Sequence, residues 1–232
     1  MITDVSVVVP ARDEQDEIRG CLESLAVACA ELHRRTSVRS RVVVVLDDCR
    51  DATAVVAGGY PDVELRTAQE RSVGAARRIG AADLPASPQH WLASTDADCR
   101  VPTSWLVRML AHADDGADLV LGTVRPSAAG LPDTVRRAWF DAHRLGDGHE
   151  HVHAANLGIR ASTYHAVGGW APLRSHEDVD LTARVEKHPA TQVRRCGDVV
   201  VETSSRTRGR APNGFASYLG KLAAGVSRPH SG

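Results

Sequence analysis

Two runs of mostly β-branched apolar residues, interrupted only by Ser6 in the first, constrain the fold of this chain more than any other feature. They occupy residues 5–9 and 42–46, and the first run ends at Pro10. A run with little polar alternation predicts a strand that is buried on both faces, as in a parallel sheet. Between the two runs, Ile18 and Leu22 begin the apolar stripe of a predicted helix. A strand, a helix and a second strand form the unit from which parallel sheets are built.

The same alternation continues through the first half of the chain. Further strands are predicted at residues 63–66, 91–95 and 117–122, and helices at residues 52–57, 72–82 and 103–113. Regular alternation of strands and helices predicts an α/β fold with a Rossmann-like, mostly parallel sheet and helices on both faces.

After residue 130 the pattern becomes less regular. The sequence predicts helices at residues 133–143, 178–186 and 214–224, a strand at 156–160, and a strand or hairpin at 193–203. A length of 232 residues is enough for one domain with a sizeable core. We therefore predict a single domain over residues 1–232.

Charge balance and cysteine usage exclude several classes of protein. Lysine and arginine total 28 against 29 acidic residues, so the chain lacks the basic excess typical of proteins that bind nucleic acids or membrane surfaces. Five scattered cysteines without a C-x-x-C pair predict a reducing compartment. No basic leader precedes the first strand, and no apolar stretch approaches the length of a membrane span. We therefore predict a cytoplasmic protein without a membrane span.

Acidic residues follow three of the predicted strands at the point where each strand ends. The segments are PARDE at residues 10–14, LDDCRDAT at 46–53 and STDADC at 94–99. In an open α/β sheet, ligands bind beyond the carboxyl ends of the strands, so these side chains are placed to contact one ligand. Their convergence is stronger evidence for a site than any single motif.

Asp96 and Asp98, one residue apart in the last of these segments, are candidate ligands for a metal ion. A turn allows both carboxylates to face one point, and hard oxygen ligands suit Mg²⁺ or Mn²⁺. Two alternatives remain at this stage. Aspartate is common in turns because of its local hydrogen bonds. D-x-D also marks the nucleophile of haloacid-dehalogenase-like phosphatases, although that motif is expected on the first strand.

Seven short motifs together resemble those of family 2 glycosyltransferases of the GT-A fold, over residues 4 to about 220. They are VVVPARDE, VVLDDCRDAT, RSVGAARRIG, STDADC, NLGIR, GGW and SHEDVDL, in this order. Each motif is weak alone, but the ordered set is strong. The resemblance implies a nucleotide-sugar-binding half at about residues 1–122. It also implies an acceptor-binding half with a basic C-terminal segment at about residues 123–232.

By this resemblance, the first half binds the donor nucleotide and a divalent metal ion, Mn²⁺ or Mg²⁺. Asp98 would be the direct metal ligand, together with Asp96. The residues expected to contact the donor nucleotide are Pro10, Ala11, Arg12, Glu14, Asp47, Gly74, Arg77 and Asp96. Without the family, Arg12 and Glu14 are equally consistent with helix capping and surface charge, and Arg77 with a solvated helix face.

The motif SHEDVDL carries the catalytic residues that the resemblance implies, Asp178 and Glu177. Asp178 would be the general base that takes a proton from the acceptor hydroxyl as its oxygen attacks the anomeric carbon. The resemblance to an inverting family implies inversion at that carbon. The alternative is an acidic first turn that the helix dipole stabilises.

Residues expected to contact the acceptor or the diphosphate lie in the second half of the chain. They are His153, Asn156, His176, Arg206 and Arg208. The two arginines belong to SRTRGR, residues 205–210, which predicts either a lid over the diphosphate or a solvated basic loop. His149, His151 and His153 alternate, so in an extended segment they would share a face. There they would line the acceptor site or bind a transition metal.

Together these features predict a soluble, metal-dependent, inverting glycosyltransferase. It would move one sugar from a UDP- or GDP-sugar to a hydroxyl group of a small-molecule or lipid-linked acceptor. One alternative is a sugar-phosphate nucleotidyltransferase, which would need a glycine-rich basic loop where the acidic PARDEQDE stands. The other is a non-catalytic nucleotide-binding scaffold. The donor sugar, its base, the acceptor and the oligomeric state do not follow from the motifs.

Overall fold

One mixed sheet with helices on both faces organises the computed structural model of the protein, which describes residues 1–207 and 214–226. The strands are β1 (Asp4–Ala11), β2 (Arg39–Asp47), β3 (Val63–Ala68), β4 (His90–Ser94), β5 (Cys99–Arg100), β6 (Leu119–Pro126), β7 (Leu157–Arg160) and β8 (Val193–Thr203). The helices are α1 (Ile18–Arg35), α2 (Thr53–Gly58), α3 (Val73–Gly80), α4 (Trp105–Asp114), α5 (Asp133–Ala142), α6 (Ala161–Ala166), α7 (Glu177–Lys187) and α8 (Phe215–Val226). Within the described ranges, no helix combines the length and the apolar character needed to cross a membrane.

The β-branched runs form the centre of the parallel half of the sheet. β1 pairs in parallel with β2 and with β4, and β2 pairs in parallel with β3. Val7 and Val9 of β1 belong to the core that α1 and α4 cover, whereas Val8 belongs to the core that α6 and α7 cover. Burial of both faces explains why this run lacks polar alternation. The predicted Rossmann-like half, with helices on both faces, is confirmed.

The second half of the sheet is mixed, and the strand order across the whole sheet is β3-β2-β1-β4-β7-β6-β8-β5. β7 lies between β4 and β6 and runs antiparallel to both. β8 is parallel to β6, and the short β5 is antiparallel to β8. The segment predicted as a strand or hairpin at residues 193–203 is therefore one long strand. The chain between β6 and β7 returns through α5, so β7 enters the sheet in the opposite direction.

An irregularity in β8 changes where its side chains lie. Gly122 of β6 pairs with Cys196, whereas the next residue, Thr123, pairs with Val200. Residues 197–199 therefore bulge out of the ladder, and a bulge bends its strand and re-aims its side chains. The backbone N–H of Gly197 donates to Asp147 Oδ1 at 2.7 Å, which holds the bulge in place.

Candidate active site

A cleft of about 980 Å³ opens where the acidic carboxyl ends of β1, β2 and β4 come together. Its other side is formed by the start of α7, the loop before β7, and residues of α5 and α8. The predicted site residues that line it are Pro10, Ala11, Arg12, Glu14, Asp47, Arg77, Asp96, Asp98, His153, His176, Glu177, Asp178 and Arg206. Gly74 and Asn156 are not among the lining residues, and Arg208 lies outside the described residues.

Asp96 and Asp98 lie on the turn between β4 and β5, within the lining of the cleft. With the Cys99 thiol, they present ligand atoms that all lie within 4.8 Å of one another. Burial and the neighbouring Asp96 raise the pKa of Asp98 to about 6, and burial also raises the pKa of Asp96. Carboxylates that repel each other in a buried setting are stabilised by a cation, and hard oxygens suit Mg²⁺ or Mn²⁺. The donor set therefore fits a divalent metal ion.

The end of β8 supports this turn and brings an arginine into the cleft. The backbone N–H of Ser204 donates to the Asp98 carbonyl at 3.0 Å. The Arg206 guanidinium donates to both carboxylate oxygens of Glu14, at 2.7 and 2.9 Å, and lies 2.8 Å from Asp98 Oδ2. Its segment was predicted as either a lid over the diphosphate or a solvated basic loop. The side chain of Arg206 is turned toward the cleft, which is consistent with the first of these roles.

Arg77 of α3 is buried and joins the turn that carries Asp96 to α7. Its Nη1 donates to Glu177 Oε1 at 2.5 Å, its Nη2 donates to Asp96 Oδ1, and its Nε donates to Ser94 Oγ at 2.9 Å. The guanidinium also lies 5.5 Å from the centroid of the Trp170 ring, within the range of a cation–π contact. The prediction of a solvated helix face is wrong, because Arg77 is buried and bonded within the protein, whereas the predicted nucleotide contact stays a prediction.

Glu177 and Asp178 begin α7 at the edge of the cleft. His176 precedes them in the left-handed backbone region, with φ of 62°, and turns the chain into the helix. The carboxyl group of Glu177 is buried against Arg77, and burial raises its pKa. Asp178 Oδ2 instead accepts the backbone N–H of Ala154 at 2.9 Å. Glu177 therefore anchors α7, whereas the carboxylate of Asp178 is held at the cleft by a neutral donor.

Asp47 ends β2 and organises the loop that leads into α3. Its carboxylate accepts the backbone N–H groups of Glu70, Arg71 and Ser72, at 2.7, 3.0 and 3.0 Å. Three such bonds hold a buried carboxylate in one orientation. Asp47 therefore has a structural role at the cleft wall in addition to any contact with a nucleotide.

Gly74, which follows this loop, is needed for a contact within the protein rather than for the predicted approach to a nucleotide. A Cβ atom at this position would collide with the Ala171 carbonyl and would lie 2.8 Å from the backbone nitrogen of Leu173. The Gly74 N–H donates to the Leu173 carbonyl at 3.0 Å. The prediction is corrected accordingly, since residues 171–173 occupy the space in front of this glycine.

The alternating histidines belong to a stack of rings that extends along the cleft from Trp139. His151 lies 5.5 Å from His143, 5.6 Å from His149 and 5.8 Å from His153, measured between ring centroids. His143 in turn stacks on Trp139 at 4.3 Å. Nε2 of His149 and of His151 each donate to a backbone carbonyl. In the part of the chain that the structure describes, these histidines are absent from the groups that could hold a metal.

Asn156 is fully buried and does not reach the cleft. Its Oδ1 accepts from Trp105 Nε1 at 2.9 Å, and its Nδ2 donates to the carbonyls of Thr123 and Val199 at 2.8 and 2.9 Å. The prediction of an acceptor contact is corrected, because this side chain fills its hydrogen-bonding capacity between β6, β8 and α4.

The sequence motifs missed the aromatic part of the cleft. Trp139 of α5, together with Phe215 and Tyr218 of α8, lines the cleft. The signal that was available is the four-residue spacing of Trp139 and His143, which places both rings on one face of the predicted helix. No motif connects that face with α8, which is distant in sequence.

Comparison with known proteins identifies the family of this chain. The model of glycosyl transferase family 2 matches residues 6–167. A search of curated proteins found no match.

Solved structures share the fold. S. aureus TarS 1-349 in complex with UDP-GlcNAc has a TM-score of 0.68 and 16% identity, over 96% of this chain and 66% of the TarS chain. A longer TarS chain has a TM-score of 0.66 and 15% identity, over 96% of this chain and 42% of its own length. M. tuberculosis glucosyl-3-phosphoglycerate synthase has a TM-score of 0.58 and 16% identity, over 97% of this chain and 78% of that chain. The predicted GT-A fold is confirmed.

Proposed function

Because this chain belongs to glycosyl transferase family 2, we propose that it transfers one sugar from a nucleoside-diphosphate sugar to a hydroxyl group of an acceptor. The observation that carries the proposal is that Asp98 and Asp178, from distant parts of the chain, line one cleft. In this proposal, Asp98 faces a metal-bound diphosphate, and Asp178 faces the hydroxyl group of the acceptor.

We assign the nucleotide to the side of the cleft that Pro10, Ala11, Arg12 and Asp47 form. The carboxyl ends of β1 and β2 meet there, which is where open α/β sheets bind their ligands. UDP and UDP-sugars are the first donors to test, because TarS structures contain UDP-GlcNAc and UDP. GDP-sugars are the second.

Asp98, together with Asp96, would hold Mn²⁺ or Mg²⁺. When bound, such an ion neutralises the negative charge of the leaving diphosphate. The protein fixes both ligands beforehand, since Arg77 holds Asp96 and the end of β8 holds the backbone of Asp98. Arg206 lies 2.8 Å from Asp98 Oδ2, so its guanidinium would move from this carboxylate toward the diphosphate when donor and metal bind.

Asp178 would act as the general base. It would take the proton of the acceptor hydroxyl as that oxygen forms its bond to the anomeric carbon. The bond between this carbon and the diphosphate oxygen breaks in the same step, and the nucleoside diphosphate leaves. One direct displacement inverts the anomeric configuration, so no covalent sugar intermediate on the protein is required.

The ring stack would form the acceptor side of the site. Trp139, His143 and His151 present ring faces and ring edges along the cleft toward Tyr218. Burial lowers the pKa of His153 to about 4, so its ring is neutral near pH 7 and can hydrogen-bond a hydroxyl group. Both free and lipid-linked acceptors fit this proposal, because both can present a hydroxyl group here.

The two alternative functions are less consistent with the site. A nucleotidyltransferase would need a basic loop after β1, whereas this loop carries Glu14, which binds Arg206. A scaffold without turnover would not need a carboxylate at Asp178. We also propose a reducing, cytoplasmic location, because all five cysteines are free thiols.

Asp178→Asn tests the catalytic proposal directly. We expect a 10²- to 10⁴-fold loss of nucleoside diphosphate release from a donor panel with Mn²⁺ and mixed acceptors, because the general base is removed. Nucleotide binding should remain at the wild-type level. The matched control is Asp180→Asn, two residues further along α7, whose carboxylate pairs with Arg184 at 2.6 Å. Turnover at the wild-type rate in Asp178→Asn would mean that another group is the base, and absence of turnover in both proteins would support the scaffold alternative.

A further inference from the structure

A second group of potential metal ligands lies between α4 and the bulge of β8. It consists of His112, Cys196 and Asp198, and one ligand atom of each lies within 4.8 Å of the others. None of the three is a lining residue of the cleft. The proposed transfer reaction therefore leaves this group without a role.

The geometry of the group matches that of ligands on one small ion. His112 Nε2 lies 3.0 Å from Asp198 Oδ1. Two ligands on a tetrahedral zinc ion, each at about 2.0–2.2 Å, are separated by about 3.3 Å, so only a small movement would admit the ion.

Neighbouring residues hold the carboxylate of Asp198 in this orientation. Arg108 Nη1 donates to the backbone carbonyl of Asp198 at 2.9 Å and lies 3.7 Å from Oδ2. The other carboxylate oxygen, Oδ1, faces His112. Outer contacts of this kind orient the ligands of metal sites.

The group lies at the protein surface, with its cysteine side buried and its other side open to solvent. Cys196 is 3% exposed and contributes to the core. The side chains of His112 and Asp198 are 25% and 45% exposed. An ion at this boundary would have the thiol beneath it and room for water above it.

We propose that His112, Cys196 and Asp198 bind one Zn²⁺ ion or a similar transition-metal ion, with water as the fourth ligand. Thiolate and imidazole select zinc or cobalt, whereas the aspartates of the cleft select Mg²⁺ or Mn²⁺. Binding forms a bond from the metal to Cys196 Sγ, and the thiol proton passes to solvent. The bound ion connects the end of α4 to the bulge that leads toward Thr203 and Arg206.

Burial and the nearby Asp198 raise the pKa of the Cys196 thiol to about 11 without a metal. A coordinated cation removes that proton, because its charge stabilises the thiolate directly.

Titration of the whole protein with Co²⁺, in excess Mg²⁺ to occupy the cleft, tests this site. We expect one equivalent to bind with thiolate-to-cobalt charge-transfer absorption, which Zn²⁺ then displaces. Cys196→Ser should abolish the absorption, and His112→Asn should weaken Co²⁺ binding about tenfold or more. Two controls should retain the charge-transfer absorption. They are Cys29→Ser, which changes a thiol elsewhere, and Asp98→Asn.

Several results would overturn the proposal. The wild type could show no thiolate-to-cobalt absorption, or the absorption could persist in Cys196→Ser. The Co²⁺ affinity of His112→Asn could also equal that of the wild type. Loss of the absorption in Asp98→Asn would assign the thiolate to Cys99 in the cleft instead. If Cys196→Ser does not fold, His112→Asn decides, since this ring is partly exposed. UDP binding by His112→Asn should equal that of the wild type, which keeps this test separate from the proposed transfer reaction.

Discussion

At the scale of single residues, two arginines pair with the carboxylates of the cleft in different ways. Arg77 is 1% exposed and bonds Asp96 and Glu177 from inside the protein. The side chain of Arg206 is 32% exposed and reaches Glu14 and Asp98 from the end of β8. Removal of one partner of a buried pair leaves an uncompensated charge, whereas a partly exposed pair can exchange with solvent or ligand. Arg77 is therefore a fixed part of the site, and Arg206 is an exchangeable one.

Arg206→Ala should increase the affinity for Mn²⁺ in the absence of nucleotide by about tenfold, because a guanidinium no longer competes for Asp98. The same variant should bind UDP with Mn²⁺ more weakly, because the diphosphate loses a donor. Calorimetry with Mn²⁺ alone and then with UDP separates the two effects. Arg100→Ala is the control, since Arg100 pairs with Glu17 at 3.1 Å. Weaker Mn²⁺ binding by Arg206→Ala would argue that Arg206 supports the metal site instead.

The raised pKa of Asp98 gives a pH dependence with a definite sign. Its pKa is about 6 in the folded protein, against about 3.9 for an exposed aspartate. The folded state therefore binds more protons between these values, and its stability falls as pH rises through this window. Without divalent ions, raising the pH from 5 to 7 should cost the wild type on the order of 1 kcal/mol relative to Asp98→Asn. Urea unfolding at both pH values measures this, and equal changes in both proteins would contradict the assignment.

At the scale of elements, α3 and α7 are connected by side chains and by backbone. Arg77 of α3 bonds Glu177 of α7, and Gly74 of α3 packs against the carbonyl of Ala171 in the segment before α7. Since Asp178 follows Glu177 directly, the position of the proposed base depends on how α3 is packed. Contacts far from the anomeric carbon therefore determine where this base lies.

Gly74→Ala should destabilise the protein by about 1–3 kcal/mol, because its methyl group collides with backbone that has little freedom to move. It should also lower turnover, since the segment before α7 must shift. Gly58→Ala is the matched control, because a Cβ there meets nothing within 4 Å. Urea unfolding of the two variants compares them, and equal stability would show that residues 171–173 move aside at no cost.

Much of the secondary structure was predictable from local sequence patterns. β1, β2 and β4 follow from apolar runs, and the carboxylates at their ends follow from the acidic segments after each run. Local patterns do not reveal which distant group a side chain meets. The motif around Arg77 predicts a nucleotide contact and does not reveal its bond to Glu177, which lies 100 residues away. Asn156 was assigned to the acceptor, although its burial depends on α4, β6 and β8 together.

At the scale of the whole molecule, the sheet order brings the two halves of the site together. β7 inserts in reverse between β4 and β6, and β8 returns beside β6 to pair with β5. This return carries Arg206 to Glu14, a separation of 192 residues. Chain order alone does not determine such insertions, because any two exposed strand edges can pair. The strands β6, β7 and β8 were therefore predictable from sequence, whereas their order and directions in the sheet were not.

The measurement that tests the central claim most directly is calorimetric titration of UDP and GDP, each with and without Mn²⁺. The proteins compared are the wild type, Asp98→Asn and the control Asp62→Asn, which changes an exposed loop residue before β3. We predict that one nucleotide binds in a Mn²⁺-dependent manner to the wild type and to Asp62→Asn, and about tenfold or more weakly to Asp98→Asn. Binding of neither nucleotide, or binding that is indifferent to both Mn²⁺ and Asp98→Asn, would contradict the account of this cleft as a metal-assisted donor site.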